Sequence, residues 1–335
     1  MKKLLISCTV LAMLLSSCSS DNDDNSSSNP ELTMVTSSNT SGKVTYVNLL
    51  DPSVMVKSFT ISSLDAEGIS YNPMSDTLIV ASRTNNRLEA YSGVKAASSS
   101  GATSLSLSIN GSNLDFTNAR ETAVSGNKVV VVQDQLASNG LVNKLLVYQK
   151  TATGFTLLNS YTTSFKLWGI HMEGNDLYAV VDLTGDIVQF KNFMSNASGA
   201  ITATKRVTIE GIVRTHGITY SAKDDLMILT DVGSATSDTD GGLVFIKNFM
   251  SVFASTANMG TIAMSNQIRI YGPNSQLGNP VDVGYDNVTN TTYVAERLNG
   301  GGKVLSFANA TVSGDATPLA VRTETGVTSI FVIRK

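Results

Sequence analysis

The sequence predicts an all-β fold: a six-bladed β-propeller of four-stranded antiparallel blades, closed by pairing the C-terminal strand with the N-terminal hairpin. Three observations carry this reading. A hairpin pattern of apolar strand, polar turn and second apolar strand occurs six times. A short apolar segment precedes five of these hairpins, and an alternating segment follows each one. Aligned on Gly68, Glu121, Gly169, Gly217 and Asp282, the five leading segments are spaced by 53, 48, 48 and 65 residues. Four strands per unit at a spacing near 50 is the pattern of a propeller blade.

The hairpins are β-rich runs bounded by Gly, Asn, Asp and Ser, the residues that make turns. TLIVASRTNNRLEAY (77–91), LYAVVDLTGDIVQF (177–190) and TTYVAERLNGGGKVLSF (291–307) have short turns. KVVVVQDQLASNGLVNKLLVY (128–148) and LMILTDVGSATSDTDGGLVFI (226–246) carry longer loops, and LTMVTSSNTSGKVTYV (32–47) is the sixth copy. The leading strands are 67–73, 121–127, 169–175, 217–223 and 282–288. The outer strands fall at 54–61, 103–109, 154–163, 203–209, 266–272 and 318–324. Two connections between third and fourth strands share the letters KNFMS, at 191–195 and 247–251.

The hairpin at 32–47 lacks a leading strand, and a spare strand stands at the other end of the chain, VTSIFVIRK (327–335). Joining the two completes a sixth blade and removes the open sheet edge on which chains aggregate. A solenoid would need capping repeats, and none is present. A two-sheet sandwich does not account for a regular four-strand unit. Seven blades is the competing count.

The chain's 335 residues are 42% hydrophobic and 15% charged, enough apolar material for a large core. Lys and Arg number 24 against 27 Asp and Glu, and no basic stripe is visible, which argues against a nucleic-acid partner. At the N-terminus, Lys2 and Lys3 precede an apolar run from Leu4 to Leu15. That run is too short to cross a bilayer core of about 30 Å and reads as a signal peptide over 1–17. Its ending, Leu15-Ser16-Ser17-Cys18, resembles the lipobox of bacterial lipoproteins, which implies a lipidated Cys18. Residues 18–31 read as a flexible polar tether, since their composition cannot bury enough surface to offset chain entropy. Asp21, Asp23 and Asp24 are similar to the acidic export signal of Bacteroidetes surface lipoproteins. The expected location is therefore the outer membrane, facing the cell surface, with the periplasmic face as the alternative. The propeller itself occupies 32–335, as a monomer. Cys8 lies in the signal, so the mature chain has no second thiol for a disulfide.

Segments 67–91 and 282–307 resemble NHL-type repeats and, more loosely, the six-bladed lactonase-like propellers of the gluconolactonase group. EGISYNPMSDTLIVASRTNNRLEAY follows that plan closely, including Asn85-Asn86-Arg87. The resemblance spans about 300 residues but is specific to architecture, and such propellers include enzymes, ligand binders and scaffolds.

In a propeller the leading strands line the central channel, so their first residues ring its mouth. The aligned register places Glu67, Arg120, Trp168, His216 and Asp282 there, or Val281 if the last blade slips by one. The ends of the second strands lie on the same face and offer Arg83, Asp134, Asp182, Asp231 and Glu296, with Arg297 beside the last. So many ionisable groups at equivalent positions in a weakly charged chain make the mouth the candidate site. Structural roles stand beside the functional ones. Asp182 and Asp231 can cap their hairpins, Trp168 can plug the channel, and Arg120 can neutralise Glu67 and Asp282. His171, inside a strand, reads as a packed histidine.

The lactonase resemblance implies a divalent cation held by two carboxylates and two asparagines at the channel mouth. Glu67 matches the first carboxylate and Asp231 or Asp282 the last, but Asp134 and Asp182 stand where asparagines are expected. All-oxygen ligation would suit Ca²⁺ or Mg²⁺, whereas zinc would want more His or Cys. The chain contains no G-x-S-x-G, H-E-x-x-H or P-loop motif. The leading expectation is a binding module without catalysis or cofactor, taking a glycan, a peptide or a partner protein of the outer membrane or surface. The alternative is a Ca²⁺- or Mg²⁺-dependent lactonase-like hydrolase.

Overall fold

A computed structural model describes residues 30–51, 55–112 and 115–335. The expected signal peptide, Cys18, the three tether aspartates and nearly all of the tether lie outside the described residues. From Glu31 to Lys335 the chain forms one compact unit, a ring of six sheets.

The composite blade, blade 1, has the strand order Val327–Arg334, Leu32–Ser38, Lys43–Asn48, Lys57–Thr60. Its seam runs antiparallel from Leu32 opposite Arg334 to Ser38 opposite Val327. Blades 2 to 6 follow in sequence, with inner strands Ala66–Asn72, Ala119–Ser125, Leu167–Glu173, Thr215–Ser221 and Pro280–Asp286. Each inner strand touches the next around the channel, and Val327–Arg334 meets both Pro280–Asp286 and Ala66–Asn72, which closes the circle.

Each sheet is buried on both faces, so its second strand reads as a near-continuous apolar run, as Val129–Val132 does. Six apolar clusters result, one at each contact between neighbouring blades. The largest joins blades 4 and 5 through Tyr178, Val180, Met227, Leu229 and Phe249.

Glycine sets how closely the inner strands approach. A Cβ on Gly169 would stand 2.2 Å from the His216 carbonyl oxygen, and one on Gly68 would stand 2.4 Å from Thr122 N. Neither position accommodates a side chain without moving a neighbouring blade.

The shared KNFMS letters have a physical cause. Asn192 and Asn248 adopt left-handed backbone (φ 47° and 50°), which Asn tolerates better than most residues. Each turns the chain so that the next residue, Phe193 or Phe249, is fully buried between blades. The connection then lies across the outer strand of the preceding blade as a short parallel addition. Gly199–Ala200 pairs with Phe155–Thr163 in this way, and Thr261–Ile262 with Lys205–Ile209. Single parallel bridges at Thr60 with Ser104 and at Ile270 with Gly314 repeat the arrangement. Two sheets therefore have five strands rather than the four expected.

Candidate functional site

Five inner strands carry a β-bulge near their first residue, each displacing one residue from the ladder. Such bulges re-aim side chains at strand ends. In blades 2 to 5 the residue after the first ladder pair is Glu67, Arg120, Trp168 or His216. In blade 6 the ladder pairs Pro280 with Glu296 and Asp282 with Ala295, so the equivalent residue is Val281. Asp282 lies one level deeper, at the height of Gly68, Glu121, Gly169 and Gly217. The slipped register is the one adopted.

The mouth residues are packed together. The Trp168 indole stacks on the His216 imidazole at 3.7 Å with the planes 5° apart. The Arg120 guanidinium sits 4.0 Å from the same ring centroid. Two groups that close cannot share one face, so the indole is sandwiched, and Trp168 is only 9% exposed.

Around the sandwich runs an ion-pair chain. Arg83 donates to Glu67 at 2.9 Å and lies 3.4 Å from Asp65. Arg120 donates to Asp134 at 2.8 Å, and Lys166 lies 3.3 Å from Asp134 and 3.4 Å from Asp182. Arg214 donates to Asp182 at 2.7 Å, and the His216 ring nitrogen Nε2 is 3.1 Å from the same oxygen. Burial raises the Asp182 carboxyl, but the hydrogen bonds from His216 and Arg214 outweigh it and hold the group well below the usual carboxylate range. Burial pushes His216 down to about 4 against the pull of Asp182, so its imidazole is neutral at pH 7 and donates from Nε2. Burial raises Glu67, with Arg120 and Arg83 opposing.

The side chains of Glu67, Asp134 and Asp182 are 3% exposed or less, whereas those of Arg83, Arg120, Lys166 and Arg214 are 15–26% exposed. Acids form the lower layer and cations the layer that meets solvent. Asp65, at 35%, is the exposed acid of this chain of pairs.

Asp231 and Glu296 do not join this layer. Arg83, Asp134 and Asp182 each follow the last ladder residue of their second strand, whereas Asp231 and Glu296 are that last residue and point the other way. Asp231 accepts hydrogen bonds from the backbone N–H of Val213, Arg214 and Gly233 and from the Tyr271 hydroxyl. Glu296 accepts from the amides of Gly278, Asn279, Leu298 and Asn299. Both carboxylates brace loops.

Four residues of the layer escaped the sequence reading: Asp65, Lys166, Arg214 and Asn118, whose Oδ1 accepts from Arg83 at 2.8 Å. Each immediately precedes its inner strand, and a polar residue recurs there in blade 6 as Asn279. That recurrence was the available signal.

Beneath the sandwich the channel holds a cavity of about 210 Å³ lined by Glu121, Thr122, His171, Asp282 and Tyr285 among others. Asp282 accepts hydrogen bonds from Ser329 Oγ (2.9 Å), Ile330 N (2.7 Å) and Val283 N (2.8 Å). Burial, together with the nearby Glu67 charge, lifts it to about 7. Burial and the Asp282 charge push Glu121 well above its ordinary range. His171 is kept neutral by burial, which lowers it to about 4. Among the described residues no group of three or more His, Cys, Asp or Glu is arranged to hold a metal ion.

No protein-family model and no curated protein sequence matches this chain. Its fold is similar to that of solved structures. A chain of a nidogen/laminin complex superimposes with a TM-score of 0.60 at 12% identity, covering 90% of this chain and 98% of that one. A Bacteroides fragilis protein assigned as a 6-phosphogluconolactonase gives a TM-score of 0.60 at 10% identity, covering 92% and 100%. One from Bacteroides uniformis with the same assignment gives 0.56 at 9%, covering 90% and 99%. At these identities the likeness shows the propeller fold and nothing finer.

Proposed function

We propose that this chain is a lipid-anchored propeller of the cell envelope, related to NHL-type and lactonase-like propellers, that binds a glycan, peptide or partner protein without catalysis. One observation carries the reading. Glu67, Asp134 and Asp182, the carboxylates at the channel mouth, are already engaged by Arg83, Arg120, Lys166 and Arg214. A carboxylate that accepts from a guanidinium at 2.7–2.9 Å is a poor metal ligand and a poor general base. His216, stacked on Trp168, donates its Nε2 proton to Asp182, but burial outweighs that carboxylate and holds the imidazole down to about 4, which makes it a weak base. What the layer offers is guanidinium and ammonium donors facing solvent, the equipment for carboxylates and vicinal hydroxyls.

Three experiments test this. The purified protein is assayed for lactone and ester hydrolysis with Ca²⁺, Mg²⁺ or a chelator, and no chelator-sensitive turnover is expected; stoichiometric metal with turnover would replace this reading by the hydrolase. Metabolic labelling with a tagged fatty acid is expected to mark the wild type and not Cys18→Ala. Protease treatment of intact cells then decides between the surface and the periplasmic face.

A further inference from the structure

The lower face of the ring, opposite the ion-pair layer, carries a second feature independent of the reading above. A cavity of about 400 Å³ lies where the closing strand meets blades 2 and 3, within the range of small-molecule sites. Its wall is apolar. Tyr71, Ile79 and Val129 are buried there, and Phe331 and Ile333 of the closing strand are half-buried against it. Two apolar side chains at its edge stand in solvent, Met74 at 77% exposure and Val124 at 39%. Gly126 leaves the entrance open, since a Cβ there would meet nothing within 4 Å.

The rim is cationic on one side. Lys128 pairs in the ladder with Gln149, on the face of the sheet that carries Val130 toward blade 4, whereas Lys150 lies on the face that carries Val129 and Tyr148 toward blade 2 and this cavity. Among the described residues neither ammonium has a carboxylate within ion-pair distance. Arg334 also lines the cavity but is committed to Asp286 through two hydrogen bonds of 2.8 and 2.6 Å. Asp76 in the neighbouring turn is likewise spent, on the Tyr71 hydroxyl and the amides of Lys95 and Ala96.

An apolar slot with an unpaired cation at one end matches a molecule with an apolar tail and one anionic head. We propose that this cavity binds an anionic amphiphile, its acyl chain against Tyr71, Ile79 and Phe331 and its carboxylate or phosphate at Lys150. A peptide would bring backbone polar groups for which this apolar wall provides few partners.

The test uses the full chain carrying Cys18→Ala, so that N-terminal acylation contributes nothing, with dodecanoate as the probe in titration calorimetry. Saturable one-to-one binding is expected, weakening about fourfold for each methylene removed from the probe, the ratio for a fully buried CH₂. Lys150→Glu is expected to weaken it at least tenfold at an unchanged melting temperature, whereas Lys128→Glu, on the other face of the sheet, should weaken it far less. Met74→Asp, which leaves both lysines in place, is expected to weaken it too. Equal affinity for dodecyltrimethylammonium, or for the Lys150→Glu variant, would overturn the proposal. Pelleting with phosphatidylglycerol vesicles but not phosphatidylcholine vesicles, reversed by dodecanoate, identifies a membrane lipid as the source. Dodecanoate binding without pelleting identifies a free amphiphile, and the absence of both refutes the site.

Discussion

The imidazole of His216 lies face to face with the indole of Trp168, ring centroids 3.7 Å apart, although the two residues are 48 positions apart and sit on different blades. With Arg120 against the other face, the indole fastens three blades together at the channel mouth.

Trp168→Ala is therefore expected to destabilise the protein by about 3–5 kcal/mol, the usual cost of truncating a packed tryptophan. Trp168→Phe, which keeps an aromatic face for both neighbours, should cost clearly less. Urea midpoints measure both. A midpoint for Trp168→Ala within error of wild type would show that the sandwich contributes nothing to the fold.

His216 gives the fold an acid-side sensitivity. Its folded-state value of about 4 lies below the ordinary value near 6.5, so the unfolded chain takes up the proton more readily. The stability this residue supports is complete above about pH 6.5 and is lost as the pH falls toward 4, at up to about 1.4 kcal/mol per pH unit. His216→Phe removes that slope. Comparing the two proteins by urea unfolding at pH 7 and pH 5 should show the wild type losing more, and parallel losses would contradict a neutral buried imidazole.

Asp282 works in the opposite direction. Burial lifts it to about 7, so the folded state holds its proton more tightly than the unfolded chain. Its contribution is full below about pH 4 and is lost as the pH rises through 7. Asp282→Asn lacks this titration, and its stability relative to wild type is expected to climb between pH 4.5 and 7.5. A constant difference across that range would mean that the Asp282 carboxyl ionises as an ordinary surface acid does.

Deleting 327–335 removes the inner strand of blade 1 and bares the edge of Leu32–Ser38. The lost strand buries Val327 and Ile330 and packs Phe331, Val332 and Ile333 against the cores of two interfaces. At about 1.5–3 kcal/mol per large side chain fully buried, that loss is comparable with a typical total stability of 5–15 kcal/mol. The truncated chain should aggregate or fail to give a cooperative melt in calorimetry. A soluble monomer with the wild-type melting temperature would contradict the importance of the seam.

The amino-acid sequence by itself determined the blades. Strand alternation, turn residues and the recurrence of Gly68, Gly169 and Gly217 are local signals, repeated often enough to count, and the spare strand at 327–335 announced the closure. It also placed Glu67, Arg120, Trp168 and His216 on one level, because inner-strand starts are set by the same register. The tertiary structure alone decided which level Asp282 occupies, since a bulge shifts facing by one residue without changing the residue pattern. It alone decided that Asp231 and Glu296 turn to their loops while Asp182 turns to Arg214, and that Lys166 spans Asp134 and Asp182. Those partners come from blades separated by dozens of residues, so their distances depend on how closely the ring packs. That packing follows from the glycines and the six interblade cores acting together, and no single segment of the chain encodes it.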